Sequence, residues 1–430
     1  MNLIIHRGTK EIGGSCVELK TAKTRIIVDL GIPLVDIKKE RFNTKVLEGK
    51  TIPQLKKLGI LPQVKGLYRN EKRSIDAIFI SHCHLDHYGF LRYVHPDIPV
   101  YMSQGSSRLI EASNIFLPQK TTGFKAVIIE KRKKVKVGDF SITACLVDHS
   151  GFDALAFLIQ SGKKRLFYSG DFRGHGRKSA LFERMINNPP RDIDCLVMEG
   201  TMFGRGKQKF KNETDIEKKM VKMLRNKKNI TFFFSSSQNI DRLVSAYRAC
   251  LQADTIFVID VYTAFILHIL GSFSKHLPQY NWKNVRVKFF KSHVDSLAKT
   301  EHKDLIYKFN TEKIEIEEIK QKREKILMIL RDNSLFPIML KSLGKTVEMA
   351  IIYSMWEGYL KDEFVRNCKE KGISIIQIHT AGHAIGKDLK QFAAALNPKT
   401  LVPIHTFEPQ EFLGLHKNVK ILRDKEVFEI

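Results

Sequence analysis

No stretch of this sequence reaches the roughly 20 consecutive apolar residues that a membrane-spanning helix requires. The nearest, residues 255–273, carries Asp260 and His268 in its interior and reads as a buried strand followed by a helix. No membrane role is expected. The opening Met1-Asn2-Leu3-Ile4-Ile5-His6-Arg7-Gly8 has no basic leader and no long apolar run with a small-residue cleavage site, so a secretory signal is not expected and the cytoplasm is the expected location. Cysteine is sparse and scattered (Cys16, Cys83, Cys145, Cys195, Cys250, Cys368), without a C-x-x-C pair or disulfide-like spacing, which points to reduced core residues. No internal repeat or low-complexity tract is present. Acidic residues are also short: 46 Asp and Glu stand against 72 Lys and Arg, a formal net charge of +26. Such an excess favours a polyanionic partner, nucleic acid or an anionic membrane face. A solubility role for the lysines, or a lysine-biased genome, is the plainer alternative.

What is present suffices for more than one core. With 430 residues, 43% of them hydrophobic, the chain exceeds the usual single-domain size and suggests two domains. The first third consists of short apolar and β-branched runs separated by turns, at residues 3–5, 16–19, 25–29, 77–80, 140–147, 154–159, 165–168 and 195–198. Turn signals at Gly13-Gly14, Lys23-Thr24 and Gly162-Lys163 predict antiparallel or mixed pairing there. From about residue 205 the texture changes. A helix over 213–226, a strand over 230–234, a helix over 239–251, a strand over 255–259 and a helix over 261–270 give the alternation of a parallel α/β sheet. The charged stretch 311–325 reads as a solvated helix face. Strands follow at 326–330 and 349–353, then a helix over 358–370, and two strand ends carrying His379 and His405.

The strongest local signal is Ser81-His82-Cys83-His84-Leu85-Asp86-His87, directly after the strand-like 77–80. Four candidate ligands within six residues converge only if the turn folds back on a cation, and imidazole and carboxylate suit zinc. Two ions would also need a bridging carboxylate and further nitrogen ligands. Candidates stand at later strand ends, in Asp148-His149-Ser150 and Ser169-Gly170-Asp171.

With these residues in view, the sequence resembles the metallo-β-lactamase superfamily, whose pattern is H-x-H-x-D-H followed by a later His, a later Asp and a final His. The resemblance implies one zinc on His82, His84 and His149, a second on Asp86, His87 and His405, and Asp171 between them. Asp29, in Ile27-Val28-Asp29-Leu30-Gly31, matches the superfamily's first motif, a carboxylate that orients the ligand loop. Val197-Met198-Glu199-Gly200-Thr201, His379-Thr380-Ala381-Gly382-His383-Ala384 and Pro403-Ile404-His405-Thr406 look like motifs A, B and C of the β-CASP branch. The fold expected is therefore α/β, a metallo-β-lactamase αββα sandwich with an inserted β-CASP α/β domain. Its first part would span 1–204, the insert 205–372 and the return segment 373–430. His at motif C is the mark of the RNA-processing group, and the general likeness is to the ribonuclease J family, through Glu11-Ile12-Gly13-Gly14 and Ser237-Gln238-Asn239-Ile240-Asp241-Arg242. Two departures stand out. Ala381 replaces a serine usual in motif B, and only 25 residues follow His405, so the C-terminal domain used there for assembly is not expected. Whether the chain forms a homo-oligomer is left open.

The activity implied is that of a zinc-dependent ribonuclease. Two Zn²⁺ per chain would activate a hydroxide that hydrolyses phosphodiester bonds of single-stranded RNA, working from 5′ to 3′ as an exonuclease with endonuclease cleavage as an additional mode. Asp86 would hold the nucleophile's proton while ligating metal, His383 would contact the scissile phosphate or protonate the leaving oxygen, and Glu199 would fix an orientation behind them. For His383 the alternative is a neighbour of a helix N-cap, and for His379 it is strand-end packing in place of substrate contact. The serines of the 235–237 turn, with Ser236, Ser237 and Asn239 at a helix N-terminus and Arg242 one turn in, would form an anion site for a 5′ phosphate. Otherwise they only cap the helix. Arg205, Lys207, Lys209 and Lys211 offer a basic edge or a solvated turn. Three rivals remain: a DNA nuclease of the same fold, a hydrolase of a small ester or thioester, and a non-enzymatic RNA-binding subunit.

Overall fold

The computed structural model describes residues 1–35, 40–206, 208–344 and 347–430. The chain separates into two compact units. One comprises Met1–Ile110, Gln119–Gly206 and Gly382–Ile430, the other Glu111–Pro118 and Lys207–Ala381.

The first unit is built on two sheets. In hydrogen-bonded order, one runs Val427–Glu429, Asn2–Arg7, Cys16–Lys20, Arg25–Val28, Ala77–Phe79, Pro99–Met102 and Lys125–Ile128. The other runs Thr400–Ile404, Cys195–Glu199, Lys164–Tyr168, Leu155–Ser161, Phe140–Leu146 and Lys134–Val137. Both are mixed, with hairpins at one side and parallel neighbours at the other. The period-2 alternation of a strand decides what each side chain meets. Leu166, Tyr168 and Val197 point into the core shared with Leu3, Val17, Val28 and Phe79 of the other sheet. Their neighbours Phe167, Leu196 and Met198 point outward, onto Phe182 of the helix Ser179–Asn187 and onto Leu389, Phe392 and Leu396 of the helix Gly386–Leu396. Each such buried side chain contributes roughly 1.5–3 kcal/mol. Ile27, Ile78 and Val100, on the other face of the first sheet, are buried as well, so both sheets are covered outside and in.

The second unit carries a six-stranded sheet in the order Val285–Lys288, Ile256–Asp260, Ile326–Leu330, Thr231–Phe234, Ala350–Tyr353 and Ser374–Gln377, with every pair parallel. Central strands buried on both faces read as unbroken apolar runs, as in Thr-Phe-Phe-Phe and Ile-Leu-Met-Ile-Leu. Crossover helices begin at polar caps: Asn212 accepts from Asp215 N–H at 2.9 Å ahead of Glu213–Arg225, and Asp260 from Thr263 N–H at 2.7 Å ahead of Val261–Leu270. The stretch 311–325 is not one helix. It divides into Ile316–Gln321 and a 3₁₀ turn at Arg323–Lys325, because Ile326 enters a central strand immediately afterwards. Among the described residues no helix is long and apolar enough to cross a membrane.

Candidate metal centre

The centre lies at one end of the first unit's strands. The buried strand Ala77–Phe79 runs parallel to its neighbours and releases the chain into His82, Cys83 and His84, followed by the short helix Leu85–Tyr88. Asp29, one residue past Arg25–Val28 and at φ 59°, supports this turn. Its buried carboxylate accepts from Ser81 N–H at 2.7 Å, and from Ser81 Oγ, His87 Nδ1 and Tyr168 OH at 2.8 Å each. Four donors on one carboxylate fix the His87 ring with Nδ1 backward and Nε2 forward. Gly31 is required by close approach: a Cβ there would lie 1.6 Å from the Asp86 carbonyl oxygen.

Seven side chains then form two adjoining groups. In the first, His84 Nδ1 lies 3.0 Å from His82 Nε2 and 3.2 Å from His149 Nε2. Burial, with repulsion from neighbouring histidines, pushes all three below their ordinary range, His84 to about 4, so they are neutral. Three nitrogen lone pairs facing one another are unfavourable without a shared cation. Tetrahedral ligands about 2.0–2.1 Å from zinc stand about 3.3 Å apart, close to the spacing found. In the second group, Asp86 Oδ2 is 3.3 Å from His405 Nε2 and 3.7 Å from His87 Nε2, and Asp171 Oδ2 is 3.1 Å from His87 Nε2. The same Asp171 oxygen is 3.7 Å from His82 Nε2, which puts its carboxylate beside both groups. Burial alone would depress the His87 pKa, but Asp171, Asp29 and Asp86 raise it well above the usual value. Burial raises and the neighbouring histidines lower Asp86, which settles at about 2. The donor set of both groups fits divalent metal.

Glu199 and His383 border the second group. His383 Nδ1 is 3.4 Å from Glu199 Oε2 and 3.6 Å from Asp171 Oδ2, and its side chain is 20% exposed. Glu199, buried, accepts from Phe172, Ala384 and Thr201 N–H at 3.4, 3.2 and 3.0 Å, and so ties together the loops that carry Asp171, His383 and Thr201. Thr201 stands in motif A but shows no role in the sequence alone. Its hydroxyl is 2.8 Å from His405 Nδ1 and donates to the His405 carbonyl at 3.4 Å, which fixes Nε2 toward Asp86. Tyr168, the other residue missed, carries no sequence signal beyond ending a strand. Thr201→Val is expected to weaken metal binding by about 10–100-fold while leaving the fold intact. Zinc titration against a chromophoric chelator measures this, and unchanged affinity would remove Thr201 from that role.

The turn expected to hold a 5′ phosphate requires a correction. Arg242, in the helix Ile240–Gln252, is fully buried. Its Nε and Nη2 donate to the two Glu213 carboxylate oxygens at 3.1 and 3.0 Å, Nη1 to the Ser354 carbonyl at 3.1 Å and Nη2 to the Thr380 carbonyl at 3.1 Å. All of its directions are taken, so a phosphate could reach it only by displacing Glu213. Ser237 is buried too, 2.6 Å from Thr263 Oγ1 and in contact with Arg331. Asn239 caps the helix by accepting from Arg242 N–H at 3.2 Å, and Ser236, exposed, accepts from Gln238 N–H at 3.2 Å. Half-buried His379 has Nδ1 3.4 Å from Arg242 Nη1. The capping alternative describes this turn. Of the basic edge, Lys209 and Lys211 are exposed and Arg205 is half-buried, while Lys207 lies outside the described residues.

Comparison with known proteins agrees with this geometry. Residues 57–226 match the Beta-lactamase superfamily domain. A probable RNase MJ4 of Methanocaldococcus jannaschii is 27% identical over 221 residues, 47% of this chain and 45% of that protein. A ribonuclease J of Helicobacter pylori is 31% identical over 197 residues, 45% and 25% of the two chains. The transcription termination factor FttA of Methanothermobacter thermautotrophicus is 25% identical over 307 residues, 66% and 45%. The matches thus span less than half the length of each of these relatives. A crystallised protein of unknown function from Enterococcus faecalis V583 shares the fold over 99% of both chains, with a TM-score of 0.80 at 21% identity. Residues 57–226 thus carry a Beta-lactamase superfamily domain, and the chain is similar over part of its length to proteins named as ribonucleases.

Proposed function

We propose that this protein is a zinc-dependent ribonuclease that hydrolyses phosphodiester bonds of single-stranded RNA in the cytoplasm. The observation that carries the reading is the pair of adjoining ligand groups beside one carboxylate, Asp171, with His383 at their exposed rim. Two zinc ions bound there would supply an acidified water and neutralise charge on the phosphate. On this reading His82, His84 and His149 would hold one ion and Asp86, His87 and His405 the other, with Asp171 between. Asp86 Oδ2, beside His405, is a carboxylate oxygen able to hold the attacking water's proton. His383 presents Nε2 to the leaving oxygen and donates the proton, while Glu199 holds the Nδ1 side of the ring. The net charge of +26 and the relatives named as ribonucleases favour RNA over a small ester or thioester.

The 5′-to-3′ direction rests on the family resemblance alone, because Arg242 is engaged inside the protein. The test compares one single-stranded RNA carrying a 5′ monophosphate, a 5′ hydroxyl or a circular backbone, together with DNA of the same sequence. Preference for the monophosphorylated RNA, with release of mononucleotides, is expected. Cleavage of circular RNA at the same rate would make the enzyme an endonuclease, and equal cleavage of DNA would overturn the substrate assignment. In the same assay His383→Ala should retain both metals and lose about 100-fold or more in kcat. Loss of zinc from that variant would place His383 among the ligands.

A further inference from the structure

Ligand histidines are ordinarily held by a hydrogen bond to the ring nitrogen that faces away from the metal. Three of the candidates obey this: His82 Nδ1 has Ser81 Oγ at 3.0 Å, His87 Nδ1 has Asp29, and His405 Nδ1 has Thr201. His149 does not. Its Nδ1 is buried and makes no hydrogen bond to any group among the described residues. Something else must fix this ring.

The loop after Asp171 folds back onto the backbone that carries His149. Arg173 N–H donates to the Asp148 carbonyl at 2.7 Å, and Gly176 N–H donates to Asp148 Oδ2 at 2.8 Å. Arg173 Nε meets Asp148 Oδ1 at 3.4 Å, with both side chains fully buried. Lys178 Nζ donates to the His149 carbonyl at 3.3 Å and lies 3.9 Å from Asp148 Oδ1. Gly176 leaves no room for a side chain: a Cβ would stand 2.3 Å from Asp148 Oδ1 and 2.4 Å from Arg173 Nε. The loop's outer side is held as well, since Gly174 N–H donates to Asp388 Oδ2 at 3.1 Å in the helix that follows His383.

We infer that Asp148, Arg173 and Lys178 are positioning residues that hold His149 by its main chain, in place of the missing ring hydrogen bond, and set its distance from Asp171. Arg173 is two residues from Asp171 and Asp148 is adjacent to His149, so one buried ion pair fixes two ligands from different strands against each other. The inference rests on the reading of the site as a metal centre.

The test uses the full chain, with zinc as the probe. Chelator competition gives the affinity of each ion, cobalt(II) substitution gives the absorption of the loaded site, and melting of the metal-free protein reports the fold. Asp148→Asn and Gly176→Ala are expected to weaken one zinc by about 10–100-fold and leave the other near its original affinity. The cobalt spectrum should change, kcat should fall with KM for RNA little altered, and metal-free melting should shift far less than the affinity. Lys178→Met keeps the ion pair and supplies a milder variant, expected to weaken the same ion by a smaller factor, should the first two not fold. Unchanged zinc affinities overturn the clasp alone. Equal weakening of both ions in step with metal-free melting also overturns it, leaving a purely structural ion pair. Absence of tight zinc binding by the unaltered protein overturns the reading of the site as well.

Discussion

If the site binds zinc as proposed, Asp171→Asn is expected to lower kcat by about 1,000-fold or more and to reduce the zinc content per chain. The substitution preserves shape and removes only charge. Asp171 Oδ2 stands 3.1 Å from His87 Nε2, 3.7 Å from His82 Nε2 and 3.6 Å from His383 Nδ1, which puts its charge beside both groups. Burial raises its pKa, but His405, His87 and His383 together hold it well below the carboxylate range, so the native residue is ionised wherever the protein is folded near neutrality. Elemental analysis of the purified variant, with single-turnover hydrolysis of end-labelled RNA, measures both effects. A variant with two zinc ions and activity within tenfold of the original would show that Asp171 is not shared.

The second large effect concerns stability. Arg242→Met removes the guanidinium paired with buried Glu213 and takes donors away from that carboxylate and from the carbonyls of Ser354 and Thr380. Removing one partner of a buried pair costs about 3–5 kcal/mol, here on the order of 10 °C in melting temperature. Adding Glu213→Leu should recover a large part of that loss, because an apolar pair carries no unpaid desolvation. Calorimetry of both variants decides the matter. A single variant that melts like the original while losing preference for 5′-monophosphorylated RNA would restore Arg242 to the substrate.

This contrast marks what a sequence displays and what it hides. The segment from His82 to His87 is legible because its side chains are neighbours in the chain, and a turn that short gives them few directions other than inward. Asp29 is legible for a similar reason, since a carboxylate ending a buried strand needs donors. Arg242 misleads because its position one turn past a cap is compatible with either exposure or burial. What decides is Glu213, on a different helix 29 residues earlier. Thr201 and Tyr168 act through partners more than 100 residues away, beyond the reach of any local pattern. The strands Lys125–Ile128 and Lys134–Val137 carry lysines, a composition that suits sheet edges, where both lie, and that reads as loop in the sequence.

The first unit is assembled from three stretches of chain, and this has a bearing on synthesis. During translation, the group formed by His82, His84 and His149 has all its members once a little over a third of the polypeptide has been made. His405 follows Thr400–Ile404, the last strand to join the second sheet, where it lies beside Cys195–Glu199. A nascent chain therefore has all residues of one ligand group long before those of the other, and the half-built site must wait while the whole parallel sheet of the second unit is made. Sheets whose pairings span such separations close slowly. The second ligand group is thus complete only once His405 has been made.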